Sequence, residues 1–206
     1  MRKLIVPAFI SLDGVVQAPG GPQEDTSGGF TRGGWVWPFA DDSGEVMGGV
    51  FERPFELLLG RRTYDIFAAY WPHVAEGAPH QRIADLFNGT IKHVATHHSG
   101  TLAWQNSRAL EADIAAAVRE LKRSEGPDLV TQGSSDLVHQ LLATDLVDEL
   151  RLLVYPILLG RGKRLFDEHA QASAFRLEAS KATRTGVLVN RYVRAGEVQT
   201  GSFEPA

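Results

Sequence analysis

The 206-residue chain has no cysteine. Disulfides, thiolate nucleophiles and cysteine-based metal sites are therefore excluded. Net charge is also small, −4 at pH 7, so no global basic field points to nucleic acid. No stretch approaches the roughly 18 consecutive apolar residues that a membrane-spanning helix needs. Met1-Arg2-Lys3 resembles a signal start, but the apolar run behind it lasts only from Leu4 to Ile10 and meets Asp13. No small-residue cleavage pattern follows, so a cytoplasmic protein without a membrane partner is expected.

Several catalytic and binding signatures are missing too. No G-x-G-x-x-G follows the strands that could carry it, which disfavours a standard Rossmann domain. Gly160-Arg161-Gly162-Lys163 fails the Walker spacing, because Ile157 and Arg164 stand at the deciding positions, and reads as a surface turn. No Ser-His-acid order is distinctive. His93 and His97 share a strand face but lie about 13 Å apart at strand rise, too far to bind one ion, so no metal is expected.

What is present is ordinary for a soluble α/β domain: 43% apolar and 22% charged residues. The length suits one domain with a core large enough to need no staples. Residues 1–195 read as that domain and 196–206 as a flexible tail. Apolar β-rich runs predict strands at 3–10, 55–59, 91–96, 128–131 and 149–158, with Pro156 marking a bulge or edge in the last. A short strand is expected at 102–104. Helices are expected over 41–52, 62–69, 83–87, 108–123 and around Leu137–Leu142. Residues 175–181 and 186–194 predict a closing hairpin, turned at 183–186. Alternation of strand and helix implies a mostly parallel central sheet covered on both faces, a three-layer α/β/α arrangement, with an antiparallel hairpin at one edge. Such sheets bind ligands at the carboxyl ends of their strands.

Two junctions there attract attention. Gly60-Arg61-Arg62-Thr63-Tyr64 leaves a strand and opens a helix, where backbone donors and forked arginine side chains suit a phosphate. Thr131-Gln132-Gly133-Ser134-Ser135-Asp136 does the same with glycine and hydroxyls, although Ser134 or Ser135 also suits plain helix capping. Together they fit a ligand with two separated phosphates. The loop from Gln17 to Trp37 is long and glycine-rich, which in a compact domain points to function or mobility. Trp35, Trp37, Phe39 and Phe51 could stack on a flat heterocycle, line a dimer contact or fill the core.

Ser11-Leu12-Asp13-Gly14, Gly60-Arg61-Arg62-Thr63-Tyr64, Gly133-Ser134-Ser135, and Leu146-Val147-Asp148-Glu149-Leu150 running into Pro156-Ile157-Leu158-Leu159-Gly160 resemble, in order and spacing, the reductase domain of riboflavin-biosynthesis deaminase-reductases. That domain is similar in fold to dihydrofolate reductase. The resemblance covers about residues 1–194, and it implies NADPH as hydride donor. Carried over by motif, it implies that Arg61, Arg62 and Thr63 hold the adenosine phosphate. Gly133, Ser134 and Ser135 would hold the pyrophosphate, and Thr96 and His97 would lie near the adenosine ribose. Asp13 and Gly14 would border the nicotinamide and substrate.

The implied activity is reduction of a pyrimidine- or pteridine-type heterocycle or its ribosylamino precursor, similar to 5-amino-6-(5-phosphoribosylamino)uracil reductase. The alternatives are dihydrofolate-reductase-like activity, or a nucleotide-binding module without catalysis. Val15 stands where the family has lysine and Gln132 where it usually has glutamate. Dihydrofolate reductases carry an acid before the second strand, a region that here holds Asp41, Asp42 and Glu45. With Asp13, Asp41 and Glu45 are the candidate acids. A homodimer is expected by the same resemblance, with the apolar strand 149–158 as candidate contact.

Overall fold

In the computed structural model, which describes residues 1–40, 49–97, 100, 102–110, 112–168 and 170–203, eight strands form one sheet. They are β1 (Leu4–Ser11), β2 (Phe55–Gly60), β3 (Lys92–Ala95), β4 (Ser107–Ala109), β5 (Asp128–Thr131), β6 (Glu149–Tyr155), β7 (Ala174–Ala182) and β8 (Leu188–Gly196). Their order is β4-β3-β2-β5-β1-β6-β8-β7. The first six strands are parallel to their neighbours; β8 runs antiparallel to β6, and β7 to β8. The helices are α1 (Arg61–Tyr70), α2 (Gln81–Gly89), α3 (Ile114–Arg123) and α4 (Ser135–Ala143).

Strand residues alternate between two apolar layers. Ile5, Leu57, Leu59, Val130 and Leu153 pack on one face with Tyr64 of α1 and Phe87 of α2. Leu4, Val6, Leu58, Leu129 and Leu150 pack on the other with Val118 of α3 and Leu137 and Leu141 of α4. That double cover explains why the central strands read as unbroken apolar runs. Leu57, Leu58 and Leu59 are fully buried, and each contributes about 2 kcal/mol. The expected three-layer arrangement with an antiparallel C-terminal hairpin is the observed one.

Three expected elements are corrected. The helix over 108–123 begins only at Ile114, capped by Asp113, whose side chain accepts from the Ala116 amide at 3.0 Å. Residues 107–109 pair with β3 instead. Leu110 falls in helical register with Ile114 because both pack against the same apolar layer, one from a strand end and one from a helix. The short strand is at 107–109 and not 102–104. Strand 149–158 stops at Tyr155, since Pro156 has no N–H to extend the ladder. The longest strands are therefore β7 and β8, nine residues each. β6 lies between β1 and β8 with both faces packed, which removes it as an edge for dimer contact. Of the expected helix 41–52, the last residues (49–52) form turns and bends; the rest, with Asp41, Asp42 and Glu45, lies outside the described residues.

At the amino ends of the parallel strands the buried charges are tied together. Glu56 accepts from the Arg2 guanidinium and meets His93 Nε2 at 2.7 Å. Burial pushes the Glu56 carboxyl up, but the bonds from His93 and Arg2 outweigh it and hold it low. Burial also holds His93 below its usual range, against the pull of Glu56. Lys122 Nζ donates to the Leu146 carbonyl at 2.7 Å and pairs with Asp148 at 2.6 Å. Glu149 is gripped by Arg151 and Arg191.

Candidate functional site

At the opposite, carboxyl end, the loops after β1, β2, β3 and β5 open into one cleft of about 550 Å³. Gly60, Arg61, Arg62, Thr63, Thr96, His97, Gly133, Ser134 and Ser135 all line it. The structure thus brings together every residue that the sequence marked on the cofactor side.

The two key junctions touch each other. The Gly60 amide donates to Ser134 Oγ at 2.8 Å. A Cβ on Gly60 would lie 3.0 Å from that oxygen, so glycine permits the approach. Gly133 has φ +72°, and a Cβ there would sit 3.3 Å from Thr63 Cγ2. Ser134 itself is left-handed, with φ 65° and ψ 59°, at the cap position of α4. Because its hydroxyl is committed to Gly60, it caps nothing, and α4 begins without a side-chain cap. α1 also begins without one. Two helix N-termini with uncapped amides therefore border one cleft, an arrangement that favours anions. Gln132 Oε1, on a residue that lines the cleft, and Thr131 Oγ1, at the end of β5, are buried with no hydrogen-bond partner.

Both arginines of this region are held by carboxylates. Arg61 pairs with Asp65 at 2.9 Å, one turn along α1. Arg62 pairs with Asp25 at 2.6 Å, across to the loop that follows β1. The Arg61–Asp65 pair is half-exposed and weak, and the Arg62 side chain is 57% exposed, so both guanidiniums remain within reach of a phosphate.

The loop 17–37 is folded, not slack. Trp35 Nε1 donates to the Gln17 carbonyl at 2.8 Å, and the Gly34 amide to the Ala18 carbonyl at 2.9 Å. A Cβ on Gly33 would fall 2.5 Å from the Gly21 carbonyl oxygen, so only glycine lets the two passes meet. Gln17 Nε2 reaches the carbonyls of Asp25 and Ser27. Asp25 accepts from Arg62, Ser27 and Lys163. Burial raises its pKa, but the bonds from Lys163 and Ser27 dominate and bring it to about 2. Glu24, next to it, also lines the cleft.

The residues assigned to the substrate side fall elsewhere. Asp13 does not line the cleft. Its carboxylate accepts from Ser11 Oγ and from the amides of Leu159 and Gly160, and so ties the segment after β6 to the end of β1. Burial opposes the ionised form, but these hydrogen bonds bring its pKa to about 2, which removes it as a proton donor. Gly14 turns the chain at φ +84° beside the Arg164 side chain. Trp35 is core, edge-on to Tyr155 at 5.2 Å, and Trp37 is 78% exposed outside the cleft. Val15, in the position of the family's lysine, is fully buried.

Lys163, Gln17, Glu24 and Asp25 are the residues that sequence reading missed. Lys163 was read as part of a surface turn; it lines the cleft because Gly162, at φ +133°, lets the chain pack against Val15 and Phe30. A usable signal existed: Glu24 and Asp25 are consecutive acids in a long glycine-rich loop.

The described residues define a dihydrofolate-reductase-like fold with its cleft at the carboxyl edge of the sheet. The RibD C-terminal domain model matches residues 2–189. The chain belongs to that family. YyaP of Bacillus subtilis (strain 168) is 23% identical over 191 residues, covering 91% of this chain and 92% of YyaP. YwjB of the same organism is 25% identical over 195 residues, covering 94% and 99%. Among solved structures, a riboflavin biosynthesis-like protein from Shewanella sp. PV-4 has a TM-score of 0.62 at 18% identity, over 94% of this chain and 99% of that one. A pyrimidine reductase-like protein from Corynebacterium diphtheriae gives 0.57 at 15%, covering 95% and 93%. A dihydrofolate reductase from Enterococcus faecalis in complex with NADP(H) gives 0.58 at 15%, covering 93% and 96%. Among the described residues no helix is long and apolar enough to cross a membrane.

Proposed function

We propose that the chain is an NADPH-dependent reductase acting on a pyrimidine- or pteridine-type heterocycle or its ribosylamino precursor. One observation carries this: two uncapped helix N-termini, two arginines and a glycine-lined contact between loops border a single cleft. That set suits a ligand with separated phosphates. The orphaned Gln132 Oε1 beside it suits a ligand N–H donor.

In this reading Arg61, Arg62 and Thr63 bind the adenosine-side phosphate, and the α4 amides with Gly133 and Ser135 bind the pyrophosphate. Thr96 and His97 lie where the adenosine ribose would sit. Ser134 positions the two loops against each other. NADPH, when bound, supplies a hydride. Phe9, Phe67 and Trp71 line the same cleft and offer apolar walls that exclude water from a flat acceptor. Catalysis then rests mainly on holding two rings face to face.

The neutral Gln132 favours a second reading, a nucleotide-binding module without turnover. Loss of reduced-nicotinamide absorbance with dihydropterin, dihydrofolate and 5-amino-6-(5-phosphoribosylamino)uracil as acceptors separates the two. Turnover with any acceptor supports the reductase. Tight NADPH binding with no turnover on the whole panel leaves the module.

A further inference from the structure

We propose that Glu24, on the loop after β1, delivers the proton to the acceptor nitrogen as the acceptor carbon takes its hydride. This rests on the reductase reading and adds to it the acid that hydride transfer to a C=N bond requires.

Among the described residues the cleft contains few acids that could serve. Asp25 has both oxygens occupied, by Arg62 and Ser27 on one and Lys163 on the other. Asp136 is exposed in the first turn of α4. Asp13 lies outside, with its oxygens taken by Ser11, Leu159 and Gly160. Glu24 differs from all three. Its Oε2 accepts from the Gly20 and Gly21 amides at 2.7 and 3.2 Å, which fixes the side chain. Its other oxygen, Oε1, makes no hydrogen bond among the described residues, and the residue lines the cleft. A Cβ on Gly20 would sit 3.2 Å from Oε2, so glycine there makes the clasp close.

Neighbouring carboxyls with opposite environments are the mark of an acid separated from a permanent anion. Burial pushes the Glu24 carboxyl up, the two amides pull it down, and the negative Asp25 beside it pushes it up again; the net is upward. Asp25, its neighbour in sequence, is driven the other way. The other charged or titratable side chains lining the cleft among the described residues are Lys163 and Arg62, both engaged by Asp25, and Arg61, His97 and Asp136 on other elements.

The step balances. The acceptor C=N receives a hydride from the reduced nicotinamide at carbon and a proton from Glu24 at nitrogen, so that carbon is reduced and the nicotinamide oxidised. Glu24 is left as a carboxylate and regains its proton from water.

The test uses the full chain, NADPH and the acceptor that the panel above identifies, with Glu24→Gln as the variant. The glutamine keeps an oxygen for the Gly20 and Gly21 amides and loses the acidic proton. Turnover should drop about 10²-fold or more, while NADPH affinity stays within about twofold. In the wild type, turnover should fall as pH rises through the Glu24 pKa, and this limb should vanish in the variant. Carbon-13 NMR of the labelled glutamate carboxyls should place the signal lost in Glu24→Gln at a midpoint above the ordinary glutamate value. Unchanged turnover in Glu24→Gln, or an unraised carboxyl, overturns the proposal and leaves the reductase reading intact. Loss of NADPH binding in the variant also overturns it, as a purely structural role. No turnover by the wild type on any acceptor removes the reductase reading itself, and this proposal with it.

Discussion

The two ends of the sheet arrange their charged and polar groups differently. At the amino ends of the strands, buried charges find partners: Arg2 and His93 on Glu56, Lys122 on Asp148 and Leu146, Arg151 and Arg191 on Glu149. At the carboxyl ends, two helices start without side-chain caps, Gln132 and Thr131 carry orphaned buried oxygens, and Arg61 and Arg62, both substantially exposed, pair with Asp65 and Asp25. An unsatisfied buried group costs about 1–3 kcal/mol. Orphaned buried atoms occur at the amino end too, at Ser107 Oγ and Arg194 Nε, so what sets the carboxyl end apart is the grouping of uncapped helix starts, arginines and Gln132 around one cleft.

The largest effect should come from breaking the amino end. Glu56→Ala leaves the Arg2 guanidinium, 4% exposed, without its counter-ion. Loss of a buried partner should destabilise by about 3 kcal/mol, or roughly 6–12 °C in Tm for a chain this size. Calorimetry measures this, and NADPH affinity in the folded fraction should stay unchanged. Lost affinity with unchanged Tm would erase the division between the two ends.

The same end sets the response to acid. Glu56 and Glu149 have folded pKa values held low, so their stability is present above the unfolded value near 4.5 and is lost as pH falls through the folded ones. His93, also held low, resists protonation in the folded state, so its contribution fades as pH drops below about 6.5. Urea midpoints should therefore decline modestly below about pH 6.5 and steeply below about pH 4.5. A flat profile below about pH 4.5 would contradict the assigned pairs.

At the open end, effects on binding should exceed those on stability. Gly133→Ala places a side chain at φ +72° and 3.3 Å from Thr63. The backbone strain costs about 1–2 kcal/mol, and the added methyl stands where the proposed pyrophosphate approaches. Thermal melts should show a drop of a few degrees, and nucleotide titration a loss of affinity greater than that strain explains. Normal affinity would remove Gly133 from the site.

The smallest effect on affinity is expected from Asp25→Asn. The Asp25 carboxylate is 12% exposed and accepts from Lys163 and Ser27 as well as Arg62, so stability should fall by about 1–2 kcal/mol. NADPH affinity should rise by up to about fivefold, because Arg62 no longer has to leave a carboxylate. Weaker binding would show that Asp25 positions Arg62 for the ligand instead of competing for it.

Much of this was legible in the sequence, for a physical reason. Leu57-Leu58-Leu59 and Leu129-Val130 announce buried parallel strands because both faces are covered, and Gly60 and Gly133 announce the junctions because glycine alone fits there. The cleft's own glycine and arginine residues came from the same local signals. What failed needed tertiary information. Leu110 sits in helical register with Ile114 yet belongs to a strand exit. Asp13 carries a family signature, but its partners Leu159 and Gly160 lie far along the chain. Trp35 faces the core and not the cleft because Gln17 and Tyr155 receive it. Lys163 reaches the cleft only because the segment after β6 returns beside Val15 and Val16. Pairings across such distances leave no trace in local spacing.

The proposed role of the carboxyl-end cleft is that of a dinucleotide site read through its phosphates. The most direct measurement is a fluorescence titration of the wild type and of an Arg61→Ala, Arg62→Ala double variant with NADPH and NADH. Tight NADPH binding is predicted, weaker for NADH, with the double variant losing about 10- to 100-fold for NADPH and little for NADH. Equal affinity of the two nucleotides for both proteins, or no binding at all, would contradict it.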